Sequence, residues 1–131
     1  MLQRHRNYVY DQLAEDRLFA SLIVDGHHLP PHLVNILKRV KGPDRTILVS
    51  DAVQYAGLSP GVYDAGYRRF EVRADGFIGA VGEPRMAGSG LLLAKGLENL
   101  VRFTACSLAD AIVTVTCNPA RFLGLEGRFE N

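Results

Sequence analysis

The spacing of apolar residues changes several times along the chain, and each change predicts a new element. Asn7 is placed to cap a helix that runs to about Leu18. The continuous apolar run Phe19–Val24 then ends at an aspartate and is typical of a strand buried on both faces. After the proline pair at positions 30–31, apolar residues at helical spacing predict a helix that ends at Gly42-Pro43.

A second apolar run, Thr46–Ser50, predicts another buried strand. Strand, helix and strand in this order form a βαβ unit, whose two strands pair in parallel. Both strands end at a carboxylate, Asp25 and Asp51. Because the active sites of parallel α/β folds lie at the carboxyl ends of their strands, these two aspartates mark the first candidate site.

The second half of the chain begins with a period of two and then becomes helical. Residues 69–81 alternate about an Asp75-Gly76 turn and predict a β-hairpin that packs as a lid or flank. Residues 93–104 predict an amphipathic helix. A further helix is expected after Ser107, which forms a capping pair three residues before an aspartate, and a short last helix over 118–124.

Composition suits one soluble domain without a nucleic-acid partner. The 131 residues carry 15 basic and 14 acidic side chains, a net charge of +1 that argues against nucleic acid and against a charged membrane surface. No apolar run reaches the ~18 residues of a membrane span, and no apolar segment follows the first charged residues as in a secretory signal. We therefore expect a cytoplasmic protein, with Cys106 and Cys117 as free core residues.

The cluster at positions 25–28, with His32 close by, offers several kinds of chemistry. Two adjacent imidazoles and a carboxylate can bind a metal, polarise a carbonyl or hold a phosphate. A zinc site made by His27, His28 and His32 is one alternative, although the two prolines between them exclude the i, i+4 spacing on one helix. In the other alternative, His27 packs locally while the neighbouring histidine faces the site.

Two further segments have both a functional and a purely local interpretation. The carboxylate of Asp51 at a buried strand end is costly unless a cation, donor or proton compensates it, which favours a functional role. It can equally cap the following segment through the amides near Val53 or Gln54. In Met86–Gly90, two glycines and a serine before a helix can present amides to an anion or a sugar hydroxyl, or can be only a turn and a cap.

Several short motifs follow one another along nearly the whole chain: Ser21–His28, Leu48–Ala52 with Ala56-Gly57, Ala87–Ser89, Asn99–Val101 and Asn118–Arg121. In this order they resemble the carboxyl-terminal part of the N-acetylglucosamine-6-phosphate deacetylases, members of the metal-dependent amidohydrolase superfamily. The first looks like the family's seventh barrel strand with its Asp-Gly-x-His motif, and the second like the eighth with its (Thr/Ser)-Asp-Ala segment. The resemblance implies an α/β fold in which residues 1–131 are a single partial domain. This domain would be the carboxyl-terminal portion of a TIM-like (β/α)8 barrel, with two buried parallel strands, a crossover helix, a β-hairpin and helices.

The resemblance also implies an activity, the hydrolysis of N-acetylglucosamine 6-phosphate to glucosamine 6-phosphate and acetate. It makes Asp51 the general base and acid, which takes a proton from a metal-activated water and delivers it to the departing amine. It places Arg4 where an arginine reaches the sugar phosphate across a subunit interface, with Arg6 as the competing residue, and so implies a homodimer. Six further residues would contact the substrate: His28, Asp25, Gly26, Met86, Ala87 and Gly88.

The chain departs from the family pattern at both ends. The family binds its divalent metal, expected to be zinc, through a glutamate and two histidines on earlier strands, so the metal site is incomplete in this chain and Asp51 lies beside it. The closing strands of the family's small β-domain are also absent. Three interpretations stay open: one piece of a larger deacetylase or assembly, a truncated non-catalytic βα module that self-associates through its strand edges, and an amidohydrolase with a different acylated substrate.

Overall fold

The computed structural model describes His5 and residues 7–128. Within these residues the chain forms an α/β structure that contains two sheets. One sheet has two parallel strands and the other has four antiparallel strands. None of the described helices is long and apolar enough to span a membrane.

The first part of the chain is the predicted βαβ unit. Helix α1 (Tyr8–Ala14) precedes strand β1 (Ala20–Ile23), helix α2 (Pro31–Lys41) and strand β2 (Thr46–Val49). Strands β1 and β2 pair in parallel, residue for residue along their whole length. The predicted order and the parallel pairing are confirmed.

Local interactions explain where the two helices begin and end. The Asn7 side chain accepts a hydrogen bond from the amide of Val9 at 3.1 Å, which caps α1 as predicted. The helix ends at Ala14 rather than near residue 18, because Glu15 is extended and its carboxylate binds Arg17 instead. Helix α2 ends at Gly42, whose φ of +69° is readily adopted only by glycine.

The expectation that both strands are buried on both faces is correct only in part, since the second face is buried at Ile47 but not along its whole length. Leu22 of β1 and Leu48 of β2 are buried, whereas Ser21 and Val49, on the opposite face, are exposed. The buried face packs on the helices, and the apolar core of the described chain lies there. Its members are Leu22, Val24, Val34, Leu48, Leu100 and Ala111.

The second sheet is larger than the predicted hairpin. Its strands β3 (Gly61–Asp64), β4 (Arg69–Val72), β5 (Phe77–Ala80) and β6 (Met86–Ser89) lie in the order β3-β4-β5-β6. The hairpin of β4 and β5 is confirmed. Strand β6 corrects the interpretation of this segment as a loop: its sequence has no β-branched or aromatic residue, and its backbone pairing with β5 makes it a strand.

Three helices complete the described chain: α3 (Leu93–Thr104), α4 (Leu108–Val113) and α5 (Cys117–Phe122). The Ser107 hydroxyl accepts a hydrogen bond from the amide of Asp110 at 3.1 Å, which confirms the predicted cap of α4. The expectation of two core cysteines is half correct, since Cys106 packs against the core. Cys117 is exposed, because α5 begins at this residue and turns the next one, an asparagine, inward.

Two buried asparagines hydrogen-bond the backbone at the ends of the parallel strands. Asn99 of α3 donates to the carbonyl of Val24, just after β1, at 2.9 Å. Asn118 of α5 donates to the carbonyls of Pro43 and Thr46, at the beginning of β2, at 2.5 and 2.7 Å. Because a buried carbonyl without a partner costs about 1–3 kcal/mol, these amides stabilise the positions of the strands.

Candidate functional site

The candidate site lies at the shared carboxyl edge of β1 and β2. Ile23 and Val49, the last residues of the two strands, are opposite one another in the parallel register. Asp25 and Asp51 each follow two residues later, so the pairing brings both aspartates to the same edge, as the pattern predicts.

Asp25 is buried within a tight turn that its own side chain closes by hydrogen bonds, and this side chain is only 2% exposed. One carboxylate oxygen, Oδ1, accepts hydrogen bonds from the amides of His27 and His28, both at 2.9 Å. The other, Oδ2, lies 2.7 Å from Nδ1 of the His28 ring. Burial acts to raise the pKa of Asp25, but the hydrogen bonds from His28 and His27 outweigh it and hold the pKa below its usual value.

The His28 ring stands between the two aspartates. While Nδ1 faces Asp25, the other ring nitrogen, Nε2, lies 3.6 Å from Oδ2 of Asp51. This second distance is longer than a hydrogen bond, so the imidazole and the Asp51 carboxylate face each other without being joined. Asp25, His28 and Asp51 therefore form one line of polar groups across the strand ends.

Asp51 has an unusual backbone and an open side chain. Its φ is +51°, a left-handed conformation uncommon for residues other than glycine, and its side chain is 50% exposed. The second sheet holds it there, because the amide of Ser89 donates to the Asp51 carbonyl at 2.9 Å and Val53 donates to the Ser89 carbonyl at 3.2 Å. Strained residues of this kind are found preferentially at functional sites.

The alternative role of Asp51 as a helix cap is wrong. No helix begins directly after Asp51, where residues 54–57 form a turn. The Val53 amide, which the cap would have used, is taken by the Ser89 carbonyl. The half-exposed carboxylate is left facing the histidine.

The predicted substrate-contacting residues of the second sheet lie on β6 and not in a loop. Met86 is half-buried and Ala87 is exposed, while Gly88 is buried beside Asp51. A Cβ atom at Gly88 would lie 3.1 Å from the Asp51 carbonyl oxygen and 3.5 Å from its Oδ2. Gly26, the remaining residue of this group, is exposed in the turn after Asp25 with a φ of +88°.

His27 has a local role, as expected in one of the two alternatives. Its Nε2 lies 3.0 Å from the carbonyl oxygen of Asp75 in the hairpin turn. Its ring packs edge to face with Phe77, and the two ring centroids are 6.0 Å apart. The alternative zinc site of three histidines is not formed. In the part of the chain that the structure describes, no group of three or more His, Cys, Asp or Glu side chains is arranged to hold a metal ion.

Arg4 and Arg6, the two candidates for the phosphate contact, lie outside the described residues. Among the described residues, Ser89 contributes to the site in a way that the sequence does not predict. Its backbone holds Asp51 through long-range pairing, for which the local sequence Ala-Gly-Ser-Gly has no signal. The only available indication is the pair of glycines on either side of Ser89, which allow close approach of backbones.

Comparison with known proteins gives a consistent family. No family model matches the chain. A protein of Escherichia coli (strain K12), provisionally described as an N-acetylgalactosamine-6-phosphate deacetylase, is 32% identical over 115 residues, which are 88% of this chain and 67% of that protein. The N-acetylglucosamine-6-phosphate deacetylase of Bacillus subtilis (strain 168) is 33% identical over 116 residues, but these cover only 29% of its length.

The solved structures agree with these relatives. The crystal structure of N-acetylglucosamine-6-phosphate deacetylase from Thermotoga maritima matches with a TM-score of 0.83 and 30% identity, over 95% of this chain and 34% of that one. A variant of the Mycobacterium smegmatis enzyme in complex with N-acetyl-D-glucosamine-6-phosphate matches with a TM-score of 0.82 and 28% identity over the same shares. The chain thus spans about a third of the solved enzymes, and it belongs to the family of N-acetylglucosamine-6-phosphate and N-acetylgalactosamine-6-phosphate deacetylases.

Proposed function

We propose that this chain is the carboxyl-terminal part of a deacetylase that converts N-acetylglucosamine 6-phosphate to glucosamine 6-phosphate and acetate. Residues 1–131 form one partial domain of a (β/α)8 barrel, in which β1 and β2 are two of the eight strands. The parallel pair with its crossover helix and the likeness to the solved deacetylases support this assignment. The complete activity belongs to a larger chain or an assembly, since the match covers only about a third of those enzymes.

The observation that carries the proposal is the line of Asp25, His28 and Asp51 at the shared strand edge. Asp51 is the half-exposed end of this line, and a free carboxylate there can accept a proton from an attacking water. The same carboxyl group then returns the proton to the amine when the amide bond breaks, which leaves acetate and the free amino sugar. His28 hydrogen-bonds the substrate beside this carboxylate.

The remaining substrate contacts surround Asp51 and His28. Gly88 lies beside Asp51, and its neighbour Ser89 pairs with Ala52. We assign further contacts to Gly26 in the turn after Asp25 and to Met86 and Ala87 of β6. Arg4 would bind the phosphate across a homodimer interface, which suits the forked donors of a guanidinium group. Because a phosphorylated sugar does not cross membranes freely, a cytoplasmic location accompanies this substrate.

The described residues do not by themselves fit a divalent metal, because no three ligand-type side chains converge on one point. We therefore assign the metal, zinc, to ligands outside the described residues. When bound next to Asp51, such an ion would lower the pKa of a water molecule toward 7.

A second candidate substrate is N-acetylgalactosamine 6-phosphate, which differs from the first in the configuration of one hydroxyl group. Two relatives with 32% identity, both from Escherichia coli, carry this activity in their descriptions. The same Asp51 chemistry applies to both sugars, and the ratio of their kcat/KM values separates the two candidates.

The proposal is tested by supplying the missing part of the barrel. The purified chain is mixed with a polypeptide that contains the residues of the Bacillus subtilis relative outside the matched segment, in the presence of zinc. Acetate release is then measured with both phosphorylated sugars and with N-acetylglucosamine that has no phosphate. We expect turnover of a phosphorylated sugar, and a decrease in kcat of about 10²–10⁴-fold in Asp51→Asn, the usual contribution of a general base.

Asp64→Asn is the matched control, since Asp64 is an exposed aspartate at the end of another strand. It should leave kcat unchanged. Association of the chain with itself, without acetate release from either sugar alone or in the mixture, would contradict the proposal and favour the non-catalytic module. Turnover of an acylated substrate without phosphate or without the hexosamine ring would identify the third interpretation.

A further inference from the structure

We propose that Asp25 is a positioning residue, which acts through His28 and does not touch the substrate. It fixes the neutral His28 ring in the tautomer that carries its proton on Nδ1, so that Nε2 faces the Asp51 carboxylate and the substrate as an acceptor. The inference rests on the proposed function for its role in turnover, but its structural part stands on the contacts of this chain alone.

The Asp25 carboxylate has no free position for a substrate. Its side chain is 2% exposed, and both of its oxygens already accept hydrogen bonds. Both backbone amides, from His27 and His28, go to Oδ1, which leaves Oδ2 to the imidazole. Any effect of Asp25 on the substrate must therefore pass through the histidine.

The contact between Asp25 and His28 determines which ring nitrogen of His28 carries the proton. An ionised carboxylate can only accept hydrogen bonds, so the ring nitrogen 2.7 Å from Oδ2 must be the donor. The pKa of Asp25 is held below its usual value, which keeps this carboxyl group ionised at neutral pH. With the proton of the neutral ring on Nδ1, Nε2 is left without one and can accept from a hydroxyl or N–H group of the substrate.

Helix α3 anchors the turn that contains Asp25. The residue before Asp25 is Val24, whose carbonyl accepts from the buried side chain of Asn99. Arg102 donates in turn to the Asn99 side-chain oxygen at 3.0 Å, which orients that amide. Helix α3 therefore fixes the backbone that carries Asp25, and Asp25 fixes the ring.

His27 provides an internal comparison. Its Nε2 lies 3.0 Å from the carbonyl of Asp75, and a carbonyl oxygen can only accept. The neutral His27 ring therefore carries its proton on Nε2. Two adjacent histidines of this chain are thus expected to hold opposite tautomers.

Nitrogen NMR of the imidazole rings in the 131-residue chain tests the inference directly, because protonated and unprotonated ring nitrogens have clearly different shifts. The spectra are recorded at alkaline pH in order to observe the neutral form of an imidazole, and the signals are assigned with His27→Gln and His28→Gln. We expect the proton on Nδ1 in His28 and on Nε2 in His27. A proton on Nε2 of His28 in the unsubstituted chain would overturn the inference, whatever the variants show.

Asp25→Asn is the informative substitution. Its side-chain oxygen can still accept from the two backbone amides, but an NH₂ group replaces Oδ2 and donates to Nδ1. We therefore expect the His28 proton to move to Nε2 while circular dichroism shows an unchanged fold. Asp64→Asn is matched to it, because the Oδ1 atom of Asp64 also accepts from an amide two residues later, that of Gly66 at 2.7 Å, and this variant should leave the His28 tautomer unchanged.

Turnover separates this inference from the proposed function. In the complemented enzyme, Asp25→Asn should lower kcat by about 10–100-fold, by analogy with the loss when the carboxylate behind a metal-bound histidine is removed. If NMR shows the expected tautomers but no mixture releases acetate, the proposed function is contradicted and the positioning of His28 by Asp25 still stands. If the His28 proton stays on Nδ1 in a folded Asp25→Asn variant, only the positioning role of Asp25 is contradicted.

Discussion

The carboxyl ends of β1 and β2 have the same sequence pattern, but the aspartates that follow them differ in exposure. Both strands are short apolar runs that end in an aspartate, and they lie side by side in register. Yet the side chain of Asp25 is 2% exposed and fully hydrogen-bonded, whereas that of Asp51 is 50% exposed. The difference assigns them different chemistry, one as a fixed support and the other as a group free to exchange a proton.

The cause of the difference lies in the segment after each aspartate. After Asp25 the chain turns back at once, so the next two amides and a ring close over the carboxylate. After Asp51 the chain runs alongside β6, and the pairing with Ser89 holds the left-handed backbone that leaves the side chain open. The segment that follows a strand-end aspartate, and the partner with which that segment pairs, therefore decide whether the carboxylate is buried or exposed.

We expect the largest loss of stability from a methyl group added next to Asp51. In Gly88→Ala the new Cβ would press on the side chain of Val53 and lie 3.1 Å from the Asp51 carbonyl oxygen, at a φ of +144°. We expect the free energy of unfolding, measured with urea, to fall by about 2–4 kcal/mol, from backbone strain and overpacking together.

Gly82→Ala separates these two causes. Gly82 also has a positive φ, +80°, but nothing lies within 4 Å of the position that a Cβ atom would take there. Its substitution should cost only about 1 kcal/mol, the strain of a left-handed residue. Equal losses in the two variants would show that Gly88 is not in close contact with Asp51.

The buried carboxylate of Asp25 makes the stability of the fold depend on pH. The folded-state pKa of Asp25 is lowered, so its ionised form stabilises the fold fully above the unfolded value of about 4. This contribution is lost as the pH falls through the folded pKa. Urea unfolding should show the unsubstituted chain about 1–2 kcal/mol more stable than Asp25→Asn near neutral pH, with a smaller gap below about pH 4. A gap that does not change with pH would mean that the Asp25 charge contributes nothing.

Much of the parallel half of this site can be predicted from the sequence. The apolar runs, the proline pair before α2 and the glycine after it are local signals, and they place Asp25 and Asp51 at one edge. The tight turn that directs the two histidines to different partners is also local in origin. These features are predictable because residues close in the sequence determine them.

The other half depends on contacts between distant residues. Strand β6 has no strand-forming composition, and it becomes a strand only because β5 is beside it. The left-handed conformation of Asp51 depends on Ser89, 38 positions further along, and the contact of His27 depends on Asp75. No local pattern contains such pairings, so the openness of Asp51 could not be predicted from the sequence alone.

The smallest expected effect concerns the histidine that does not face Asp51. His27→Ala removes a hydrogen bond to the Asp75 carbonyl and an edge contact with Phe77, which should lower the free energy of unfolding by about 1 kcal/mol. Asp75→Asn should have almost no effect, because the carboxylate is 3.9 Å from the ring and the carbonyl is the true partner. If Asp75→Asn destabilised the chain as much as His27→Ala, an ion pair would hold this ring, and the neutral Nε2-protonated form of His27 would lose its support. The contrast between the two adjacent histidines would then have to rest on His28 alone.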